Sequence, residues 1–141
     1  MRLPIEPRHV APRLATGAFI LNSGMAKRGV GEQSALQLHG MATHAYPFLG
    51  RLRPSTFVRL LSVGEMALGA ALLLPVVPTA VAGIGLTAFS AGLVGLYLRT
   101  PGMREEGSLR PTQEGTALAK DTWMLGIGVG FLVDEAARRV R

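Results

Sequence analysis

Twenty consecutive residues, Thr79 to Leu98, carry no charge. A helix rises about 1.5 Å per residue, so the run reaches about 30 Å, the depth of a bilayer's hydrocarbon core. Pro78 stands before it, and Arg99, Thr100 and Pro101 follow. Small residues recur inside it at four-residue spacing, Ala88 with Gly92 and Ala91 with Gly95, which lets helix backbones approach closely. Tyr97 lies near one end, where an interfacial aromatic belongs. This segment is expected to cross a membrane.

The segment before it, Phe57 to Leu74, is nearly as apolar but carries Arg59 near its start and Glu65 inside. Pro75, Val76, Val77 and Pro78 suit a tight reversal between the two, so they read as an antiparallel helical hairpin. Two outer runs are less clean. Leu14 to Ala26 is uncharged and extends back through Arg13 to about Val10; Ala117 to Val133 is interrupted by Lys120 and Asp121. Short apolar runs are as often buried core helices as spans. Spanning is favoured because Arg13 and Lys120 can snorkel from the ends, and a lone hairpin would leave the outer runs uncovered. Gly126 and Gly130 add a second small-residue pair. The fold class is therefore all-α: an integral membrane four-helix bundle built of antiparallel hairpins. The chain reads as one domain, 1–141, with spans near 10–26, 57–74, 79–98 and 117–135.

Composition agrees with this. Of 141 residues, 48% are hydrophobic and 17% charged, against roughly 25% charged in ordinary soluble domains. Cysteine is absent, which excludes disulfides, thiolate metal sites and cysteine nucleophiles. The net charge of +6 comes from cations at the ends of apolar runs. No basic stripe interleaved with aromatics is present, so nucleic acid is not an expected partner. Met1 to Val10 lacks the order of a cleaved signal peptide, and the first apolar run is expected to insert and stay.

Between the first two spans, Leu38, Met41, Ala42 and Ala45 recur at helical spacing. The stretch reads equally as a short interfacial helix or as an ordinary loop. Four spans put both termini on one side and the two long connections on the other. Arg2, Arg8, Arg13, Arg138, Arg139 and Arg141 mark the terminal side. Lys27, Arg28, Arg51, Arg53, Arg59, Arg99, Arg104, Arg110 and Lys120 mark the other. Nine against six places the long connections in the cytoplasm by the positive-inside rule.

Three stretches carry a family likeness: Gly17 to Lys27 at the first-helix exit, Val63 to Leu74 in the second helix, and Leu118 to Gly126 where the fourth begins. Across about Pro12 to Val133 the chain resembles the DoxX-like group of small bacterial four-helix membrane proteins. The resemblance implies a multi-pass protein of the bacterial cytoplasmic membrane and an accessory or anchoring role beside a membrane oxidoreductase. It also implies a link to quinone metabolism. It supplies no catalytic residues, and no independent catalysis is expected.

Among single residues, Glu65 stands out, because an intramembrane carboxylate normally faces a bundle interior or a polar cavity. Ser62 and Gly69 share its helix face. A proton relay, a quinone headgroup contact and a structural ion pair are all open to it. Lys27 and Lys120 are the only lysines among fifteen cations, and a lysine, unlike arginine, can give up its proton when buried. Glu65, Lys27, Lys120 and Asp121 are expected to form one polar cluster opening toward the long connections, with Asn22 nearby. Interfacial snorkelling is the plainer reading of the lysines. His9, His39 and His44 lack the spacing and the neighbouring acids of a metal set, so no metal site is expected. Trp123 and Tyr46 read as interfacial anchors. A small transporter with Glu65 as coupling acid, and a membrane assembly protein, are the alternatives. Partners are the bilayer, membrane redox proteins or further copies of the chain.

Overall fold

The computed structural model describes residues 5–141; Met1 to Pro4, and with them the Arg2 of the charge comparison, lie outside it. The described residues form helices joined by turns and loops, and no strand. In chain order the helices are α1 (Pro7–Ala26), α2 (Glu32–Ala45), α3 (Pro54–Leu73), α4 (Thr79–Arg99), the single turn α5 (Thr116–Ala119) and α6 (Asp121–Val140). A short 3-10 turn, Pro47–Arg51, links α2 to α3. Proline opens α1 and α3, at positions where its missing N–H costs no helical bond. After α1, Gly29 takes φ of 75°, the left-handed region that glycine enters without penalty, and the chain turns into α2.

Three stretches are long and apolar enough to cross a membrane: Pro54–Leu73, Thr79–Arg99 and Thr116–Val140. At most 33% of each is buried within the protein. Phe19, Leu60, Val63, Val81, Ile84, Trp123 and Val133 point outward. Exposed apolar side chains along helices of this length suit contact with lipid. The chain is therefore built as a membrane protein. α1 is as long, 20 residues, but is not among the three; it carries Arg8, His9 and Arg13 in its first two turns.

The heaviest packing joins α1 to α3 and α4 to α6, with lighter contact between α3 and α4. Glycines explain the pairing. A Cβ on Gly69 would lie 2.6 Å from the backbone nitrogen of Leu21, and one on Gly24 would lie 2.8 Å from that of Met66. On the other pair, a Cβ on Gly128 would lie 2.9 Å from the Thr87 nitrogen. The close approach thus uses Gly128, whereas Gly126 and Gly130, the spaced pair in the sequence, meet nothing within 4 Å. Gly92 is likewise open, and Gly95 faces the Tyr46 hydroxyl of α2 instead of a spanning helix. The apolar core between the pairs contains Ile20, Leu72, Ala82, Leu86, Met124 and Phe131.

The stretch that reads equally as helix or loop is the helix α2, which buries Ala35, Ala42 and Ala45 against α3 and α4. Segment 100–115 folds over the end of α4: Arg104 and Pro111 form an isolated bridge, and the Tyr97 hydroxyl donates to Leu109 O at 2.8 Å.

Candidate functional site

The buried face of α3 is Val58, Ser62, Glu65, Gly69 and Leu72, a repeat of four and three residues. The facing stripe of α1 is His9, Arg13, Thr16, Gly17, Ile20 and Gly24. Because Gly24 and Gly69 let the backbones touch, the Ser62 hydroxyl reaches across to donate to Gly24 O at 2.7 Å. That closeness also fixes the end of α1 beside Glu65. Lys27 Nζ lies 2.9 Å from Glu65 Oε2 and donates to Ser23 Oγ at 2.7 Å. The Glu65 side chain is 3% exposed and that of Lys27 19%. A carboxylate so buried is costly unless paired and hydrogen-bonded, and Lys27 supplies both.

The pair forms part of the wall of a half-open cavity of about 470 Å³ lined by α1, α2, α3, α4 and the start of α6. Its lining is mainly apolar, with Phe19, Ile20, Phe57, Phe89, Leu93 and Met124. Asp121, in the first turn of α6, joins the same wall, close enough for the charges of Glu65 and Lys27 to act on it. Asp121 is 8% exposed, and its carboxyl makes no hydrogen bond among the described residues. α2 and the residue after it add Leu38, Met41 and Tyr46 to the wall. The Tyr46 hydroxyl donates to Gly92 O at 2.6 Å, and Arg99 holds the end of α2 by donating to Ala45 O at 2.9 Å. The Arg99 guanidinium also lies 5.2 Å from the Tyr46 ring centre.

An apolar chamber with a few convergent polar groups is the usual form of a small-molecule site, and its volume is within the usual range. Here the polar groups are an ammonium that can donate, a carboxylate already engaged, and a second carboxyl without a partner. They suit a ligand with an apolar body and a polar head.

Of the residues singled out in the sequence, the fold brings Glu65, Lys27 and Asp121 to one cavity. Lys120 and Asn22 are exposed and take no part in its wall. Each is one residue from a member of the wall, and one residue turns a helix by about 100°. Tyr46, taken from the sequence as an interfacial anchor, is a cavity residue.

Arg13 is the residue whose role the sequence conceals most. It is 1% exposed and caps the end of α3. Nε donates to Leu72 O at 2.8 Å, Nη2 to Ala71 O at 2.7 Å and Leu74 O at 3.1 Å, and Nη1 to Val77 O at 2.9 Å and Thr79 Oγ1 at 3.1 Å. The last carbonyls of a helix have no partner within it, and a cation there also answers the helix dipole. Instead of snorkelling, Arg13 is turned inward. The signal available was its spacing of four, seven and eleven from Gly17, Ile20 and Gly24, which puts it on the packing stripe.

A second polar group joins the start of α1 to the end of α6. His9 Nε2 lies 2.7 Å from Asp134 Oδ2, and Nδ1, which has no hydrogen-bond partner among the described residues, lies 3.9 Å from Glu135 Oε1. The acids missing from the sequence neighbourhood of His9 thus arrive from the far end of the chain. The three side chains offer ligand atoms within 4.8 Å of one another, as a metal site requires. Arg8 occupies Asp134 at 2.8 Å, and Arg138 bridges Glu135 and Glu6, each at 3.0 Å. The arrangement is that of an ion-pair clasp.

Comparison with family models, curated proteins and solved structures gives no match for this chain.

Proposed function

We propose that this chain is a multi-pass four-helix protein of the bacterial cytoplasmic membrane, DoxX-like in type, whose cavity receives an amphipathic small molecule of the quinone class. In this reading it is an accessory or anchoring subunit beside a membrane oxidoreductase, without catalysis of its own. α1 is the fourth span, sheltered by α3, and the long connections face the cytoplasm.

The observation that carries the reading is the unpaired Asp121 carboxyl beside the Lys27–Glu65 pair in a chamber otherwise apolar. A quinone headgroup offers carbonyl acceptors to Lys27, and its reduced form offers hydroxyls to Asp121. The apolar lining suits the ring and the first part of a tail. A bound quinone would supply the electron-carrying chemistry, while these residues hold and orient its head.

The test is to purify the tagged chain from native membranes in mild detergent and quantify extracted quinone and copurifying proteins. The wild type is expected to retain quinone near stoichiometry together with an oxidoreductase. Leu93→Trp, which fills the chamber, is expected to lose the quinone and keep its fold. A wild type free of quinone, or a Leu93→Trp variant that retains it, overturns the reading.

The same unpaired Asp121 also favours a proton-coupled transporter, because it offers Lys27 a second carboxylate. In that reading Glu65 is the coupling acid, and Glu65→Gln abolishes transport in liposomes while the fold persists. An assembly protein is distinguished by a Glu65→Gln variant that loses stability and no activity.

A further inference from the structure

On the outer side of Lys27, away from the cavity, a groove of about 810 Å³ runs between the α1–α2 connection, α2 and the first half of α3. Arg28, Arg53 and Arg59 line it, and none of the three has an ion-pair partner among the described residues. Lys27 is neutralised by Glu65, and Glu32 is the one acid in the groove's wall. The groove thus has a surplus of positive charge. Its cations come from three places: the turn after α1, the residue before α3, and the second turn of α3.

Polarity is ordered along the groove. Arg53 and Ser55 stand at the mouth, where α3 begins without a side-chain cap. Arg59 follows about 9 Å further along the axis at 1.5 Å per residue. Val63 and Met66 come next on the same face, at plus four and plus seven from Arg59, with Val58 and Leu36 flanking. Along α3 both arginines thus precede Val63 and Met66, over about 20 Å from Arg53 to Met66. A free phosphate would use only the first part of this surface, and a polyanion would find no further cations beyond it. A phospholipid has the same order, with a charged head and then a chain.

We propose that this groove binds an anionic phospholipid, its phosphate between Arg28, Arg53 and Arg59 and one acyl chain along Val63 and Met66. The site rests on the membrane reading above. On that topology it faces the cytoplasmic leaflet, where anionic lipids draw juxtamembrane cations. Arginine suits the task because its planar fork can grip two phosphate oxygens.

The test is native mass spectrometry of the full chain released from nanodiscs of phosphatidylglycerol and phosphatidylcholine mixed equally. Each surface cation is worth about fivefold in attraction to anionic lipid, so three with one opposing acid predict a preference of at least about tenfold for phosphatidylglycerol. The triple variant Arg28→Gln, Arg53→Gln, Arg59→Gln is expected to fall below about twofold. The corresponding triple lysine variant, which preserves charge, is expected to keep most of the preference; circular dichroism checks the helices of both. Equal retention of the two lipids by a wild type that is inserted in the disc overturns the site and leaves the membrane reading standing. Displacement of phosphatidylglycerol by millimolar inorganic phosphate, with phosphate retained in its place, makes it a free-anion site and overturns the lipid assignment. A chain that stays in buffer without detergent overturns the membrane reading itself.

Discussion

Arg13→Met removes the guanidinium and leaves a side chain of similar length in a site that is 1% exposed. Five hydrogen bonds are lost, four to carbonyls at the end of α3 and the turn beyond it and one to Thr79 Oγ1. A hydrogen bond from a charged donor contributes about 1.5–3 kcal/mol, so the gross loss is roughly 8–15 kcal/mol. Burying the guanidinium costs several kcal/mol in the native protein, and the variant is relieved of that cost. The unpaired carbonyls recover part of the rest through water at the end of the helix. A net destabilisation of about 3–5 kcal/mol remains, comparable to breaking a buried ion pair. Arg13→Lys keeps the charge but offers three donors without the fork, and about 2 kcal/mol is expected. The assay is reversible unfolding in mixed micelles by SDS titration, followed by circular dichroism. If Arg13→Met unfolds within about 1 kcal/mol of the wild type, the capping argument is wrong and the arginine is a passenger.

Three further outcomes follow from the packing. Gly69→Val forces a Cβ to within 2.6 Å of the Leu21 backbone, so α1 and α3 must part, at a cost of about 2 kcal/mol. Gly126→Val, with nothing within 4 Å, should leave unfolding unchanged, and equal effects from the two would sink the close-approach argument. Lys27→Met strands the Glu65 carboxylate at 3% exposure and is expected to cost about 3–5 kcal/mol, most of which the double variant with Glu65→Gln restores. A double variant no better than the single would show that the two side chains are not energetically coupled, which a double-mutant cycle measures directly. His9→Ala should cost about 2 kcal/mol, since the ring is buried, packs 5.2 Å from Phe131 and holds Asp134. Arg8→Ala, whose side chain is 56% exposed, should cost less than His9→Ala; thermal melts in detergent that reverse this order refute the clasp.

Helices α3 and α4 were legible because a bilayer demands length and apolarity, and both properties add up along a local run. Their observed bounds differ from the expected 57–74 and 79–98 by three residues at most. The outer helices were less legible. α1 begins at Pro7 instead of near 10, and the apolar start expected at 117 divides into the turn α5 and then α6 from Asp121. In both places polar side chains interrupt the apolar signal. Glu65 with Ser62 and Gly69 could be read as one face because helical periodicity is local. Its grouping with Lys27 was expected from their shared membrane end, whereas the direct ion pair depends on how two helices dock at glycines, whose contribution is the absence of a side chain. Tyr46 and the His9 clasp were hidden for a related reason. Their partners, Gly92 O and the acids of α6, lie 46 and 125 residues away. A carbonyl oxygen leaves no mark in the sequence at all.

The placement of Arg13 bears on how such a chain enters a membrane. On the proposed four-span topology α1 leaves the ribosome before α3, yet it is the span least able to partition alone. An arginine at the centre of a helix adds about 2.5–3.5 kcal/mol to its insertion, somewhat less near an end. The acceptors that offset this cost, the carbonyls of residues 71 to 77, are synthesised some sixty residues later. Until then α1 must wait beside the translocon or at the interface, and its commitment to the bilayer becomes cooperative with that of α3. Truncating the chain before residue 71 would release the first helix from the membrane, although nothing in that helix had been changed.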